Sequence, residues 1–156
     1  MLADLRLMTY DSRLKQNIRL TTDSLVFSKS DGHLQLLLIE RGNEPYKGLN
    51  AFPGGFVEDD EDLEAAATRE LHEETGLLLP AMRQLHTFGR PGRDPRCRTV
   101  SVVYYAILDA NAHDVKGGDD AAKAGWVNVK DITALAFDHK EVLDFALQQL
   151  KGELAL

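Results

Sequence analysis

Three glutamates that share one short segment, Glu70, Glu73 and Glu74, are the side chains of this sequence best suited to chemistry. On a helical wheel, Glu70 and Glu74 fall in the middle of the apolar stripe that contains Leu63 and Leu71, and Glu73 falls at its edge. The segment therefore places carboxylates where a purely structural helix would place leucines.

Like charges that are buried side by side raise one another's pKa, so such an arrangement is costly unless something neutralises it. A divalent cation does so, because hard oxygen ligands at close range are what Mg²⁺ or Mn²⁺ requires. The alternative is a solvated acidic helix face on which Arg69 pairs with Glu73 four residues later.

The helix that must carry these groups has signals at both ends. Residues 63–74 are all tolerated in helices, and Asp59 and Asp60 are candidates to cap the N-terminus. Gly76 suits the left-handed conformation that ends a helix.

The same stretch matches the Nudix box, G-x5-E-x7-R-E-U-x-E-E-x-G-U with U an aliphatic residue, so the chain resembles a Nudix hydrolase. Every specified position agrees: Gly55, Glu61, Arg69, Glu70, Leu71, Glu73, Glu74, Gly76 and Leu77. The resemblance implies an α/β fold, an α/β/α sandwich with a mixed sheet in which the box forms a loop-helix-loop.

The resemblance also implies roles for individual residues. Metal would be bound by Glu70, Glu73 and Glu74, with help from a backbone carbonyl near Gly54. Support for the site would come from Gly55, Glu61 and Arg69. The candidate catalytic residues are Glu70, Glu74 and Asp120, since the general base could come from the box or from the acidic loop that contains Asp119 and Asp120. The implied cofactor is Mg²⁺, with Mn²⁺ as an alternative.

Length and composition favour one ordinary globular domain over residues 1–156, with residues 1–18 as an N-terminal arm that could be an edge strand or part of a dimer interface. The net charge of -7 disfavours nucleic acid as the main ligand. The single cysteine, Cys97, suits a reducing compartment, and the N-terminus lacks the apolar run of a signal peptide or membrane span. We therefore expect a cytoplasmic protein that does not bind membranes.

Strand signals surround the box, and a last helix follows them. Asp138 to Glu141 resembles a capping box that opens this helix, and Gly152 would end it. His139 in its first turn could reach a ligand, although a solvated side chain is the more common case. Trp126 is expected in the core. The predicted strands are 19–28, 34–39, 82–88, 99–108 and 124–129.

Substrate binding is predicted for Arg41, Arg93 and Arg96. Arg41 directly follows an aliphatic strand beside the box, where it could clamp a substrate phosphate or the catalytic loop, or simply end the strand. The loop from Gly89 to Arg98 carries four arginines in an otherwise acidic chain, so it could form an electropositive lip for an anionic substrate. The alternative is a solvated turn whose arginines balance nearby acids.

Outside the box, residues 88–96, 100–105 and 135–141 resemble the ADP-ribose pyrophosphatase branch. They also resemble the sensor domain of Nudix-related regulators, which bind ADP-ribose with a degraded box and carry a winged-helix domain after it. The intact box and the four residues after Gly152 favour an enzyme.

The predicted activity is metal-dependent hydrolysis of ADP-ribose to AMP and ribose 5-phosphate. Alternatives are another Nudix substrate, such as an oxidised nucleoside triphosphate, a dinucleoside polyphosphate or a sugar nucleotide, or a non-catalytic ADP-ribose sensor. The expected partner is a small nucleotide, and relatives imply a homodimer.

Overall fold

The structure is a computed structural model that describes residues 16–30, 32–109 and 121–156. Its strands form where β-branched and aromatic residues are concentrated, most clearly in β6, which is rich in valine and tyrosine. The strands are β1 (Arg19–Ser30), β2 (His33–Arg41), β3 (Asn50–Ala51), β4 (Gly54–Phe56), β5 (Arg83–Phe88), β6 (Thr99–Leu108) and β7 (Ala121–Asn128).

The sheet is mixed, as expected from the resemblance. Its main path runs β3-β2-β1-β6-β5, while β4 pairs with β1 and β7 pairs with β2. The central β1–β6 pair is parallel, from Arg19 opposite Thr99 to Ser28 opposite Leu108, and the other pairs are antiparallel. β1 therefore touches β2, β4 and β6, which places it at the centre of the sheet.

Helices cover both faces of the sheet, which makes the α/β/α sandwich. On one face, Leu25 and Phe27 of β1 share a core with residues of α2 (His139–Gln149), and on the other face Val26 packs with residues of α1 (Leu63–Thr75). The alternation along β1 follows from the opposite directions of successive strand side chains. Trp126 is partly buried against the α1 side.

The N-terminus of α1 differs from the prediction. Asp62, rather than Asp59 or Asp60, is the cap, and its carboxylate accepts a hydrogen bond of 2.7 Å from the N–H of Leu63. Asp62 directly precedes the first helical residue, which is the position from which a short acidic side chain reaches a free N–H group. Gly76 ends the helix with a φ of 74°, as predicted.

The C-terminal region also differs in three respects. The capping box is wrong, because Asp138 makes no side-chain capping bond and instead pairs with Arg93. His139 is buried, not solvated. Gly152 does not end the helix; it lies within a further short helix, α3 (Lys151–Leu154).

Some predictions lie outside the described residues: those for most of the N-terminal arm, and those for Asp119 and Asp120. Within the described ranges, no helix is long and apolar enough to cross a membrane.

Candidate active site

Helix α1 presents its glutamates to a cavity of about 490 Å³. The cavity lies between the loop that precedes α1 (the box loop, residues 54–62) and the Gly89–Arg98 loop. Glu74 is buried, Glu70 is half-buried and Glu73 is exposed at the rim. This order follows the helical wheel, because Glu70 and Glu74 are one turn apart on the inward face.

Glu70 and Glu74 interact as a carboxylate pair. Burial, with the charge of Glu70, raises the pKa of Glu74 to about 8, although the hydrogen bond from the N–H of Gly54 acts to lower it. Burial also raises the pKa of Glu70, opposed by Arg69. At neutral pH the pair therefore retains a proton, because two ionised carboxylates in this position would repel each other.

Arg69 links the box loop to the helix. Its guanidinium donates to both carboxylate oxygens of Glu61, at 2.8 and 2.5 Å, and also to Glu70 at 2.9 Å and Glu73 at 3.2 Å. The hydrogen bonds from Arg69 lower the pKa of Glu61 to about 2. Glu61 in turn accepts from the N–H of Glu58, so these hydrogen bonds connect the loop to the helix at the predicted support pair.

Two glycines let the loop approach these carboxylates closely. A Cβ at Gly55 would lie 2.5 Å from the carboxyl carbon of Glu70. A Cβ at Gly54 would collide with the backbone of Thr22 and the carboxylate of Asp23. The N–H of Gly54 donates a 3.2 Å hydrogen bond to Glu74. The metal-binding role implied for a backbone carbonyl near Gly54 stays a prediction.

The carboxylate oxygens of α1 are suitable ligands for a divalent cation, although the side chains are not arranged around a common metal position. Among the described residues, no group of three or more His, Cys, Asp or Glu side chains is arranged to hold a metal ion. The reason is visible at Arg69, whose guanidinium takes up oxygens of both Glu70 and Glu73. The partly protonated Glu70–Glu74 pair nevertheless supplies adjacent oxygen ligands whose mutual repulsion a cation would relieve.

The three predicted substrate-binding arginines all line the cavity, but each already has partners. Arg93 is 7% exposed and makes a two-pronged ion pair with Asp138, at 2.9 and 2.8 Å. Arg96 is held by Asp94, and the Nε of Arg41 donates to the carbonyl of Pro45.

The other loop arginines are paired too, so the loop does not present four free positive charges. Arg90 pairs with Glu141 at 3.0 Å, and Arg98 donates to the carbonyl of Gly89. Three of the four arginines therefore balance nearby acids, and the substrate-binding role of Arg93 and Arg96 stays a prediction.

Arg96 and Arg41 belong to a stack of arginines and aromatic rings along the cavity wall. The guanidinium of Arg96 lies between the rings of Phe56 and Phe137, at 5.1 and 5.3 Å from their centroids. The guanidinium of Arg41 also lies over the ring of Phe137, 4.8 Å from its centroid. Burial and the neighbouring Arg96 lower the pKa of Arg41, so this wall is positive but closely packed.

Sequence reasoning missed a buried polar cluster on the cavity floor, formed by Asp23, Ser101 and His139. The hydroxyl of Ser101 donates to Oδ2 of Asp23, and Nε2 of His139 lies 3.8 Å from Oδ1. Burial raises the pKa of Asp23 to about 6 and lowers the pKa of His139 to about 3. The available signal was an aspartate inside a strand, where this residue type is depleted.

Comparison with known proteins gives one family. The family model described as NUDIX domain matches residues 19–145. The ADP-ribose pyrophosphatase of Methanocaldococcus jannaschii is 43% identical over 109 residues, which are 70% of this chain and 63% of that protein. The ADPR responsive transcriptional repressor NtrR of Acinetobacter baylyi is 38% identical over 138 residues, which are 86% of this chain and 55% of that protein.

Among solved structures, the NUDIX domain of Shewanella oneidensis NrtR complexed with ADP ribose superimposes with a TM-score of 0.85 at 32% identity. The match covers 96% of this chain and 99% of that one. This chain spans less than two thirds of the length of the two curated relatives.

Proposed function

Because this chain belongs to the Nudix family, we propose that it hydrolyses the diphosphate of ADP-ribose to AMP and ribose 5-phosphate. One observation carries the proposal: an intact box places the Glu70–Glu74 pair against a cavity of about 490 Å³ that also has arginines in its wall. A 43% identical relative named for this activity supports the choice of substrate.

The residues that would hold Mg²⁺ or Mn²⁺ are Glu70, Glu73 and Glu74. When bound, the ion would offset the charge of the diphosphate and lower the pKa of a nearby water. The chain contributes the rest: Arg69 and Glu61 fix the helix against its loop, and Arg41 and Arg96 stabilise negative charge at the cavity wall.

The general base is proposed to be a box carboxylate, Glu70 or Glu74. A group whose pKa lies near the working pH is best suited to accept a proton. Asp120 remains the alternative base from the acidic loop, outside the described residues. A homodimer and a cytoplasmic location also remain predictions, the second supported by the single cysteine.

The test is incubation of the pure protein with Mg²⁺ and a panel of nucleotides, followed by chromatographic measurement of AMP and phosphate products. The panel contains ADP-ribose, an oxidised nucleoside triphosphate, a dinucleoside polyphosphate and a sugar nucleotide. We expect the highest kcat/KM for ADP-ribose. A higher value for another member would keep the Nudix reaction and reject the substrate.

The second candidate function is ADP-ribose sensing without turnover. It is favoured by the 0.85 TM-score match to the ADP-ribose-bound NrtR domain. Calorimetry distinguishes it, since a sensor would show saturable ADP-ribose binding in Mg²⁺ with no AMP released.

A further inference from the structure

The carboxylate of Asp23 is a polar group on the cavity floor that the proposed hydrolysis does not use. It is 9% exposed and projects from the central strand β1. Its Oδ2 accepts the hydroxyl hydrogen of Ser101. Within the part of the chain that the structure describes, we find no hydrogen bond to its Oδ1, although that atom borders the cavity wall at Gly54.

His139 faces this free oxygen with a hydrogen-bond donor. Its Nδ1 accepts the backbone N–H of Phe52 at 3.1 Å, so in the neutral ring the hydrogen must be on Nε2. Stacking on the ring of Phe52, with centroids 4.4 Å apart and planes 10° apart, fixes the orientation. Nε2 lies 3.8 Å from Oδ1 of Asp23, which is too far for a direct hydrogen bond.

The gap between Oδ1 of Asp23 and Nε2 of His139 adjoins the proposed reaction centre at Glu70 and Glu74. Gly54 lies between the two sites: its N–H donates to Glu74, and its Cα packs against the carboxylate of Asp23. Asp23 and His139 both line the same cavity as Glu70 and Glu74. A group that enters the gap would therefore belong to the part of a substrate directly attached to the diphosphate.

We propose that Asp23 and His139 bind a hydroxyl group of the second sugar on the diphosphate, which is the terminal ribose in ADP-ribose, and so determine specificity for sugar diphosphates with free hydroxyls. The hydroxyl donates its hydrogen to Oδ1 of Asp23 and accepts the hydrogen on Nε2 of His139. This inference rests on the proposed function, since it names the substrate group recognised at the same site.

A hydroxyl suits this gap better than other common substrate groups. A phosphate oxygen could accept from His139 but would be repelled by the carboxylate of Asp23. An ammonium group could donate to Asp23 but offers no lone pair to His139. The hydroxyl both donates and accepts, as the facing pair requires.

The experiment compares two substrates and three variants. The substrates are ADP-ribose and the adenosine tetrahydrofurfuryl diphosphate, which keeps the five-membered ring but lacks its hydroxyls. The variants are Asp23→Asn, His139→Asn and, as the matched control, Ser24→Ala, which alters a neighbouring buried residue whose hydroxyl has no partner among the described atoms. Asparagine at 139 can still accept from Phe52 but loses the Nε2 donor.

For ADP-ribose we expect Asp23→Asn to lower kcat/KM about 10–100-fold, the effect of losing a hydrogen bond to a charged group. We expect His139→Asn to lower it about 3–10-fold, because the neutral imidazole makes a weaker hydrogen bond. For the analogue we expect less than about a twofold change, because the missing hydroxyl has already removed the interaction. Ser24→Ala should match the wild type on both substrates. Equal losses on both substrates, or no loss on ADP-ribose, would overturn the proposal.

The wild type gives a second readout that does not depend on variant folding. It should prefer ADP-ribose over the analogue about 10–100-fold in kcat/KM, and equal use of both would overturn the proposal. If the wild type released no AMP from either compound, the proposed hydrolysis would fail. Calorimetric Kd values for the same pair would then decide the hydroxyl site separately.

Discussion

At the scale of the residue, the position of Glu74 lowers the stability of the fold, because its carboxylate is buried beside that of Glu70. We predict that Glu74→Gln and Glu70→Gln each lower turnover about 10²–10⁴-fold, the range usual for loss of a general base. Glutamine at 74 can still accept the N–H of Gly54 and carries no charge. Chemical denaturation in chelator should therefore show Glu74→Gln to be at least as stable as the wild type.

The matched control is Glu64→Gln, which changes a carboxylate on the outer part of the same helix. Its turnover should be unchanged. Wild-type turnover in either site variant would remove that residue from the proposed chemistry.

Gly55 provides a second prediction, because its backbone lies directly against Glu70. A methyl group there would lie 2.5 Å from the carboxyl carbon, so Gly55→Ala must displace the loop or the glutamate. We expect a loss of about 1–3 kcal/mol in unfolding free energy, typical of overpacking, and a fall in turnover of at least about tenfold. Gly152→Ala is the control, since its added methyl meets nothing within 4 Å and should preserve both properties. Equal behaviour of the two variants would contradict this account of Gly55.

At the scale of the element, two ion pairs join the Gly89–Arg98 loop to the start of α2. Arg93 and Asp138 form a pair with side chains 4% and 10% exposed, whereas Arg90 and Glu141 form one with side chains 67% and 68% exposed. We predict that Arg93→Met costs about 3–5 kcal/mol, because it leaves a buried charge unpaired. Arg90→Met should cost less than about 1 kcal/mol.

Urea denaturation of both variants measures the difference directly. The double variant Arg93→Met/Asp138→Leu should regain much of the lost stability, since it removes both buried charges. A similar cost for the two single variants would show that burial does not set the strength of these pairs.

Elements defined by local signals were predicted well from the sequence. Gly76 ends helix α1 as expected, and β6 has the predicted bounds, because glycine conformation and side-chain periodicity are local properties. The capping role of Asp138 failed for a non-local reason. Its carboxylate is taken by Arg93, 45 residues away, and no local pattern shows that partner.

At the scale of the whole molecule, the floor of the cavity is assembled by the topology. Ser101 meets Asp23 across 78 residues because β6 lies parallel to β1, and His139 meets Phe52 across 87 residues. The Nudix box indicated the carboxylates of α1, but no local pattern indicated that Asp23, Ser101 and His139 would meet opposite them, because their contacts depend on the order of the strands.

The buried cluster also predicts how stability depends on pH. Burial lowers the pKa of His139 from 6.5 to about 3, so below pH 6.5 the unfolded chain binds a proton that the folded chain does not. Stability from this residue is complete above pH 6.5 and falls as the pH drops towards 3, by about 2 kcal/mol at pH 5.

The raised pKa of Asp23 acts in the opposite direction between about pH 4 and 6, so the unfolding free energy of the wild type depends less steeply on pH in this range. Comparison with His139→Asn isolates the histidine. Relative to this variant, the wild type should lose about 2 kcal/mol of unfolding free energy between pH 7 and pH 5, as measured by urea denaturation. A pH-independent difference would contradict a neutral, buried His139.

The central claim is that the inward glutamates of α1 bind a divalent cation at the site of diphosphate hydrolysis. The most direct measurement is a crystal soaked with Mn²⁺ and AMP, with anomalous diffraction used to locate the ion. We predict an anomalous peak within coordination distance of Glu70 and Glu74, beside the phosphate of AMP. Anomalous density absent from these carboxylates, in a crystal that shows bound AMP, would contradict the claim.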